Sequence, residues 1–227
     1  DDHGCVSSSM SHQSDVAMMA WYMPTINPAS IGEYIEFGLW GYAASRFSGM
    51  WIGFKAISEA VESAAAVELP DMPSFKAPDD FTMPQAGLNF RWPDLPGMQI
   101  ETRMKDKKEA VRAFARANPI DKVIFNNPDA KFGIITTGKA HLDVMEALAQ
   151  LGIDKARAEE IGLDIYKVGL VWPIETDGAE HFMAGKEEVL VIEEKRGIIE
   201  SQLKEYIYDR AVKKPKRIIG KHDEAGN

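Results

Sequence analysis

Six prolines, Pro70, Pro73, Pro78, Pro84, Pro93 and Pro96, fall within the thirty residues from Leu69 to Met98. Each fixes φ and removes a backbone donor, so neither a helix nor a central strand is expected to run through this stretch. The chain is thereby divided into residues 1–69, a proline-rich linker over 70–99 and a second unit over 100–227. Phe75, Phe81, Leu88, Phe90 and Trp92 in the linker predict that it lies along a surface and does not dangle.

The two flanks differ in pattern. Residues 1–69 are rich in Met, Trp, Tyr and Gly with few charges, which reads as buried. Ser30-Ile31-Gly32-Glu33 has the form of a capping box, so a helix is expected to start there. Ile31, Tyr34, Ile35, Gly38 and Tyr42 continue it at three and four spacing up to Ser48-Gly49. Met50 to Phe54 predicts a short strand, and Ser58 to Val67 a helix of small residues. After Ile100 the alternation is regular. Helices are expected over Asp106 to Asn118, Lys139 to Leu151 and Asp177 to Ala184, and along the stretch carrying Ile199, Leu203, Tyr206 and Ile207. Strands are expected at Phe132 to Thr136, Leu163 to Leu170, Val189 to Ile192 and Arg217 to Ile219. This order predicts an α/β fold built on a parallel sheet.

Composition excludes several classes. Twenty-six Lys and Arg against thirty-five Asp and Glu give a net charge of −9, the wrong sign for neutralising a nucleic-acid backbone. The longest apolar run, Val16 to Met23, is far shorter than the ~20 residues that cross a bilayer. No nucleic acid and no membrane partner is expected. The single cysteine, Cys5, cannot form an internal disulfide or ligate an iron-sulfur cluster by itself, and a cytoplasmic location fits it. The opening Asp1-Asp2-His3-Gly4, with neither a methionine nor a leader, reads as a stretch of something longer.

Three regions carry candidate chemistry. Gly133 to Lys139 matches the spacing of a phosphate-binding loop. Ala140, however, stands where the magnesium-binding hydroxyl belongs, and Gly133 lies inside a strand, so a strand followed by a Thr-Thr-Gly turn capping the next helix is expected. Thr136-Thr137-Gly138, Trp172-Pro173 and Glu193-Glu194-Lys195-Arg196 are strand ends of the kind that border ligands in open parallel sheets. The last is read as a solvated, locally neutralised strand exit, weighed against a polar site or a charge-paired interface. The dense polar opening, residues 1–15, contains His3 and His12 with Asp2 and Asp15, the residue types of a metal site without a spacing that fixes one. A hydrogen-bonded turn is expected there, with no metal. No base can be assigned to Cys5 as a nucleophile, and His141 and His181 read as structural.

DDHGCVSSSMSHQSD, FGLWGYAASRFSGMWIGFKAISE, KFGIITTGKAHLDVMEALAQLGID and KVGLVWPIETDGAEHFMAGKEEVLVIEEKRGIIESQLKEYIY resemble, in order, the indolepyruvate ferredoxin oxidoreductase family. That family lies within the thiamine-diphosphate-dependent 2-oxoacid:ferredoxin oxidoreductases. The resemblance implies that residues 1–69 are the second half of a pyrimidine-binding thiamine diphosphate domain. Residues 100–227 would be the transketolase C-terminal-like domain that follows it. It implies an enzyme that decarboxylates an aryl 2-oxoacid oxidatively, passes the acyl group to coenzyme A and sends electrons through 4Fe-4S clusters to ferredoxin. Thiamine diphosphate and Mg²⁺ would be shared with regions outside this chain, as would contacts to other domains or subunits, and the clusters would lie outside it. Only the loop holding Asp2, His3, Gly4, Ser7 and Ser8 matches a segment near the cofactor, and the family commonly has proline at the position of His3. The catalytic residues stay unassigned, and the segment alone is expected to be inactive. The alternative is a non-catalytic assembly module in a thiamine-diphosphate enzyme of another 2-oxoacid specificity.

Overall fold

The structure, a computed structural model, describes residues 13–68, 71–223 and 225–226. In chain order the first elements are α1 (Ser14–Ala20), β1 (Thr25–Ile26), α2 (Ile31–Ser48), β2 (Gly53–Phe54) and α3 (Ser58–Val61). A short 3-10 turn follows at Trp92–Asp94, then α4 (Gln99–Ala117), β3 (Lys122–Phe125) and β4 (Phe132–Thr137). The remainder runs through α5 (Gly138–Gln150), α6 (Lys155–Ile161), β5 (Leu163–Val168), β6 (Leu170–Trp172), α7 (Thr176–Met183), β7 (Glu188–Ile192), α8 (Ile198–Ile207) and β8 (Arg217–Ile219).

Five strands form the larger sheet, in the order β3-β5-β4-β7-β8. β4 pairs in parallel with both β5 and β7, β8 extends the sheet in parallel, and β3 closes the other edge antiparallel to β5. Successive residues of β4 serve opposite faces. Ile135 packs with Val189, Val191, Ile199 and Leu203 under α7 and α8. Ile134 packs with Val144, Leu148 and Ala158 under α5 and α6. A parallel strand covered on both faces requires this unbroken apolar run.

The smaller sheet, β2-β1-β6, joins residues from both sides of the proline-rich stretch: β1 is parallel to β2 and antiparallel to β6. α2 lies against α4, with Phe37, Trp40 and Ala44 meeting Val111, Phe114 and Ala115. The indole N–H of Trp40 donates to the Asn118 carbonyl at 2.7 Å.

Several expected boundaries move. The strand expected over Leu163 to Leu170 is two strands, broken at Gly169, and its end belongs to the smaller sheet. A β-carbon on Gly169 would lie 2.9 Å from the Ile120 carbonyl oxygen and from Phe37. Asp121 Oδ1 holds the break by accepting from the Gly169 and Leu170 amides at 2.7 and 3.0 Å. The helix expected from Asp106 begins at Gln99, that expected over Ser58 to Val67 stops at Val61, and the strand expected over Met50 to Phe54 is confined to Gly53–Phe54. β3 and α6 were not expected. The capping box does not form, because Ser30 Oγ makes no cap bond. Glu33 reaches past it, accepting from the Ala29 amide at 2.8 Å and ion-pairing with Lys167 of β5. A buried lysine without a partner costs several kcal/mol, so Lys167 claims the glutamate that the local motif would have used.

The proline-rich stretch has no strand or α-helix among its described residues before Gln99. Buried Asp94 bonds to both Arg91 and Arg103. Burial pushes the Asp94 carboxyl up, but the bonds from the two arginines outweigh it and hold the group at about 2.

Candidate functional site

In the larger sheet the chain leaves β4 to build β5 on one side and then crosses to build β7 on the other. β4 is therefore where strand order reverses, and the carboxyl ends of β4, β5 and β7 frame the place where open parallel sheets bind ligands. Thr137, Val168 and Ile192 mark those ends.

Residues from the beginning of the chain fill this place. Asn27, directly after β1, donates its amide to the Gly169 carbonyl at 2.9 Å. Its side-chain Nδ2 lies 3.4 Å from Thr137 Oγ1. Gly138, with φ +52°, is the first residue of α5, and a β-carbon there would lie 2.7 Å from Asn27 Oδ1. Thr137 does not cap α5 as expected, since its hydroxyl donates to the Val168 carbonyl at 2.8 Å. Lys139 is engaged by Asp143 one turn on, at 2.7 Å. The phosphate-loop spacing of Gly133 to Lys139 thus houses a sheet-to-sheet contact.

The exit of β7 is not solvated, which corrects the sequence expectation: both Glu193 and Glu194 are buried. Glu193 caps α8 from outside the helix. Its oxygens accept from the Ile198, Ile199 and Glu200 amides at 2.9, 2.9 and 3.0 Å, at the positive end of the helix dipole. Burial nevertheless outweighs these bonds and raises its pKa. Lys195 takes the left-handed conformation, φ 56°, and so turns the chain back toward α8.

Glu194 points the other way, toward a buried charge cluster. Lys55 Nζ lies 3.0 Å from Asp15 Oδ2 and 3.5 Å from Glu194 Oε2. Gln13 Nε2 lies 3.2 Å from Asp15 Oδ2 and 3.4 Å from the Glu194 carbonyl, while Gln13 Oε1 accepts from the Arg196 amide at 3.0 Å. All four side chains are buried. None of Gln13, Asn27 or Lys55 was singled out from the sequence. The available signal was Lys55, a charge placed directly after an apolar strand.

Asp2, His3, Gly4, Ser7 and Ser8 lie outside the described residues, as do Cys5 and His12. His141 Nδ1 is 2.9 Å from Thr136 Oγ1. Burial, then the charge of Lys167, holds its pKa down at about 4, so its ring is neutral at pH 7 and structural. His181 is exposed on α7. Among the described residues no group of three His, Cys, Asp or Glu could hold a metal ion, and no helix is long and apolar enough to cross a membrane. The arrangement is an interlock: it joins two sheets through paired charges, with Asp15 Oδ1 buried beside them and without a hydrogen-bond partner among the described residues.

Comparison with known proteins gives the chain its relatives. Residues 122–227 match the family described as indolepyruvate oxidoreductase domain. Over 214 residues, covering 90% of this chain and 31% of the relative, the sequence is 25% identical to the indolepyruvate oxidoreductase subunit IorA of Pyrococcus abyssi (strain GE5 / Orsay). Identity to the subunit of the same name from Thermococcus kodakarensis is 36% over 127 residues, 55% of this chain and 18% of that one. The chain thus spans under a third of the length of the curated relatives it matches. A solved structure described as "Split gene transketolase, inactive beta4 tetramer" superposes with a TM-score of 0.51 and 15% identity, covering 91% of this chain and 51% of that one. The likeness identifies the fold as transketolase-like.

Proposed function

We propose, from the premise that the chain belongs to the indolepyruvate oxidoreductase family, that it is a segment of an aryl 2-oxoacid:ferredoxin oxidoreductase. In that reaction the bond between the carboxylate and keto carbons breaks and CO₂ leaves. The acyl group passes to the thiol of coenzyme A, and two electrons pass to ferredoxin. The observation supporting this reading is the alignment with a named subunit over 90% of the chain.

The described residues do not fit the diphosphate end of thiamine diphosphate with Mg²⁺. Gly138 is covered by Asn27, Lys139 is paired with Asp143, and Glu193 is occupied by the α8 amides. We therefore assign that end of the cofactor, and the 4Fe-4S clusters, to regions outside this chain. Asp2, His3, Gly4, Ser7 and Ser8 are the proposed cofactor-binding residues, supported by the resemblance of their loop to the family segment. Residues 1–69 and 100–227 are proposed as the pyrimidine-binding half-domain and the transketolase C-terminal-like domain, with 70–99 between them. Ferredoxin, coenzyme A, an aryl pyruvate and other domains or subunits are the proposed partners, in the cytoplasm.

A second reading, an assembly module within a thiamine-diphosphate enzyme of another 2-oxoacid specificity, is favoured by the filled strand ends. The two are separated by assaying the full-length subunit with its partner chains for viologen reduction, with coenzyme A and a panel of 2-oxoacids. Fastest turnover of indolepyruvate is expected. Turnover confined to pyruvate or 2-oxoglutarate supports the second reading, and none with any 2-oxoacid overturns both.

A further inference from the structure

Among the described residues four lysines are buried: Lys55, Lys107, Lys167 and Lys186. Three have carboxylates. Lys55 has Asp15 and Glu194, Lys167 has Glu33, and Lys186 has Asp164. Lys107, at 2% exposure, has none among the described residues. Its ammonium, which carries three donors, makes one hydrogen bond, to the Gly49 carbonyl at 2.7 Å, and stands 4.1 Å from the centre of the Phe90 ring. Burial, then the like charge of Arg103, lowers its pKa. A buried ammonium answered only by a carbonyl and a ring face is costly, and a negative charge beside it would offset that cost.

This lysine borders an open slot of about 220 Å³ where four stretches of the chain meet. Trp21 and Tyr22 come from the turn after α1, Gly49 and Trp51 from the turn after α2, Phe90 from the proline-rich stretch and Lys107 from α4. Trp21 is 69% exposed and Trp51 81%, so two of the largest apolar side chains stand in solvent at one opening. A cavity of about 150 Å³ takes benzene, so the slot has room for an aromatic ring with a substituent. Two backbone features shape it. Gly49 has φ +69°, and a β-carbon there would lie 2.6 Å from Asn89 Oδ1 and 3.4 Å from Lys107 Nζ, so glycine gives the ammonium its route to the carbonyl. Tyr22 has φ 59°, a conformation that bulky residues rarely adopt and that collects at ligand sites.

We propose that the slot binds a small aromatic carboxylate, with the ring against Trp21, Trp51 and Phe90 and the carboxylate on the Lys107 ammonium. The residues choose the class: aromatic walls favour a ring, and one cation without a counter-charge favours a single negative charge. The inference goes beyond the proposed function, because it assigns no step of the reaction and holds for any 2-oxoacid the enzyme turns over.

The test is isothermal titration of the full-length subunit with its partner chains. Phenylacetate and indole-3-acetate are the probes, since they lack the 2-oxo group and cannot be decarboxylated as 2-oxoacids. Saturable binding of both is expected, with 2-phenylethylammonium, the same ring bearing a cation, binding at least about tenfold more weakly. Lys107→Met, which keeps the apolar stem, should weaken phenylacetate at least about tenfold. Trp51→Ala should weaken it about two- to tenfold with the melting temperature unchanged, because that ring is exposed. No saturable binding to the parent, binding equal to the parent's in either variant, or 2-phenylethylammonium binding as tightly as phenylacetate overturns the proposal. Should Lys107→Met fail to fold, Trp51→Ala and the comparison of the two phenyl ligands decide it. The readout is heat of binding, so a failed turnover assay with indolepyruvate leaves this inference separately decidable.

Discussion

Asn27 occupies the space that a side chain on Gly138 would need: a β-carbon at Gly138 would lie 2.7 Å from Asn27 Oδ1. One residue follows a two-residue strand of the smaller sheet, and the other opens the helix after the central strand of the larger. Their contact seats the two sheets on each other, and it turns a glycine spacing suggestive of phosphate binding into a structural joint.

Gly138→Ala is expected to cost about 1–3 kcal/mol, because it combines the clash with a positive φ that non-glycine residues adopt at a penalty. Adding Asn27→Ala should return the steric part but not the conformational part. Urea unfolding of the two single variants and the double variant measures this. Additivity within about 0.5 kcal/mol would show that the residues do not interact.

Lys55→Ala is expected to destabilise the fold by about 3–5 kcal/mol, since it leaves Asp15 and Glu194 buried without the charge between them. Removing all three charges together, as Asp15→Asn, Lys55→Met and Glu194→Gln, should recover much of that loss. A midpoint shift below about 1 kcal/mol in Lys55→Ala would show that the cluster is not a buried structural unit.

Asp121 should leave its mark between pH 4 and pH 6. Burial raises its pKa from the usual carboxylate range to about 6, against the bonds from Leu170 and Gly169. The folded state therefore holds the proton more tightly than the unfolded state. Its contribution to stability is full below about pH 4, falls as pH rises through this window and is flat above it, with a total of up to about 3 kcal/mol. Asp121→Asn should remove this component, so the difference between parent and variant, measured by denaturant midpoints, should change across pH 4–6 and be constant from 7 to 8. A difference that is constant throughout contradicts the assignment.

The chain by itself should not bind thiamine diphosphate tightly, because the described residues offer no diphosphate or magnesium site. A ligand at one hundred times its dissociation constant stabilises a fold by about 2.7 kcal/mol, a readily visible rise in melting temperature. No shift is expected at millimolar thiamine diphosphate and Mg²⁺. A clear shift would assign the diphosphate grip to this chain, against the proposed division of labour.

Limited proteolysis should cut first between Leu69 and Ile100. That stretch makes few backbone ladder bonds, and Met72, Trp92 and Met98 are exposed along it. Early cleavage within Phe132 to Ile199 would be incompatible with the five-stranded sheet.

What the sequence determined by itself is the part set by local chemistry. β4, β7, β8, α5, α7 and α8 were legible because apolar period and turn residues act within a few positions. The prolines marked where regular structure stops, and four ordered stretches carried the resemblance to the indolepyruvate ferredoxin oxidoreductase family. The tertiary structure decided what depends on residues far apart in the chain. Whether Leu163 to Leu170 is one strand or two turns on Asp121 and Phe37 meeting Gly169. Whether Glu33 caps its own helix turns on Lys167, 134 positions away. Glu193 and Glu194 read as solvated because a charge run normally is, yet one is buried under helix amides and the other against Lys55. In each case the cost of burying a charge or amide without a partner exceeds the few tenths to one kcal/mol by which local propensity prefers one conformation, so distant partners override the local signal.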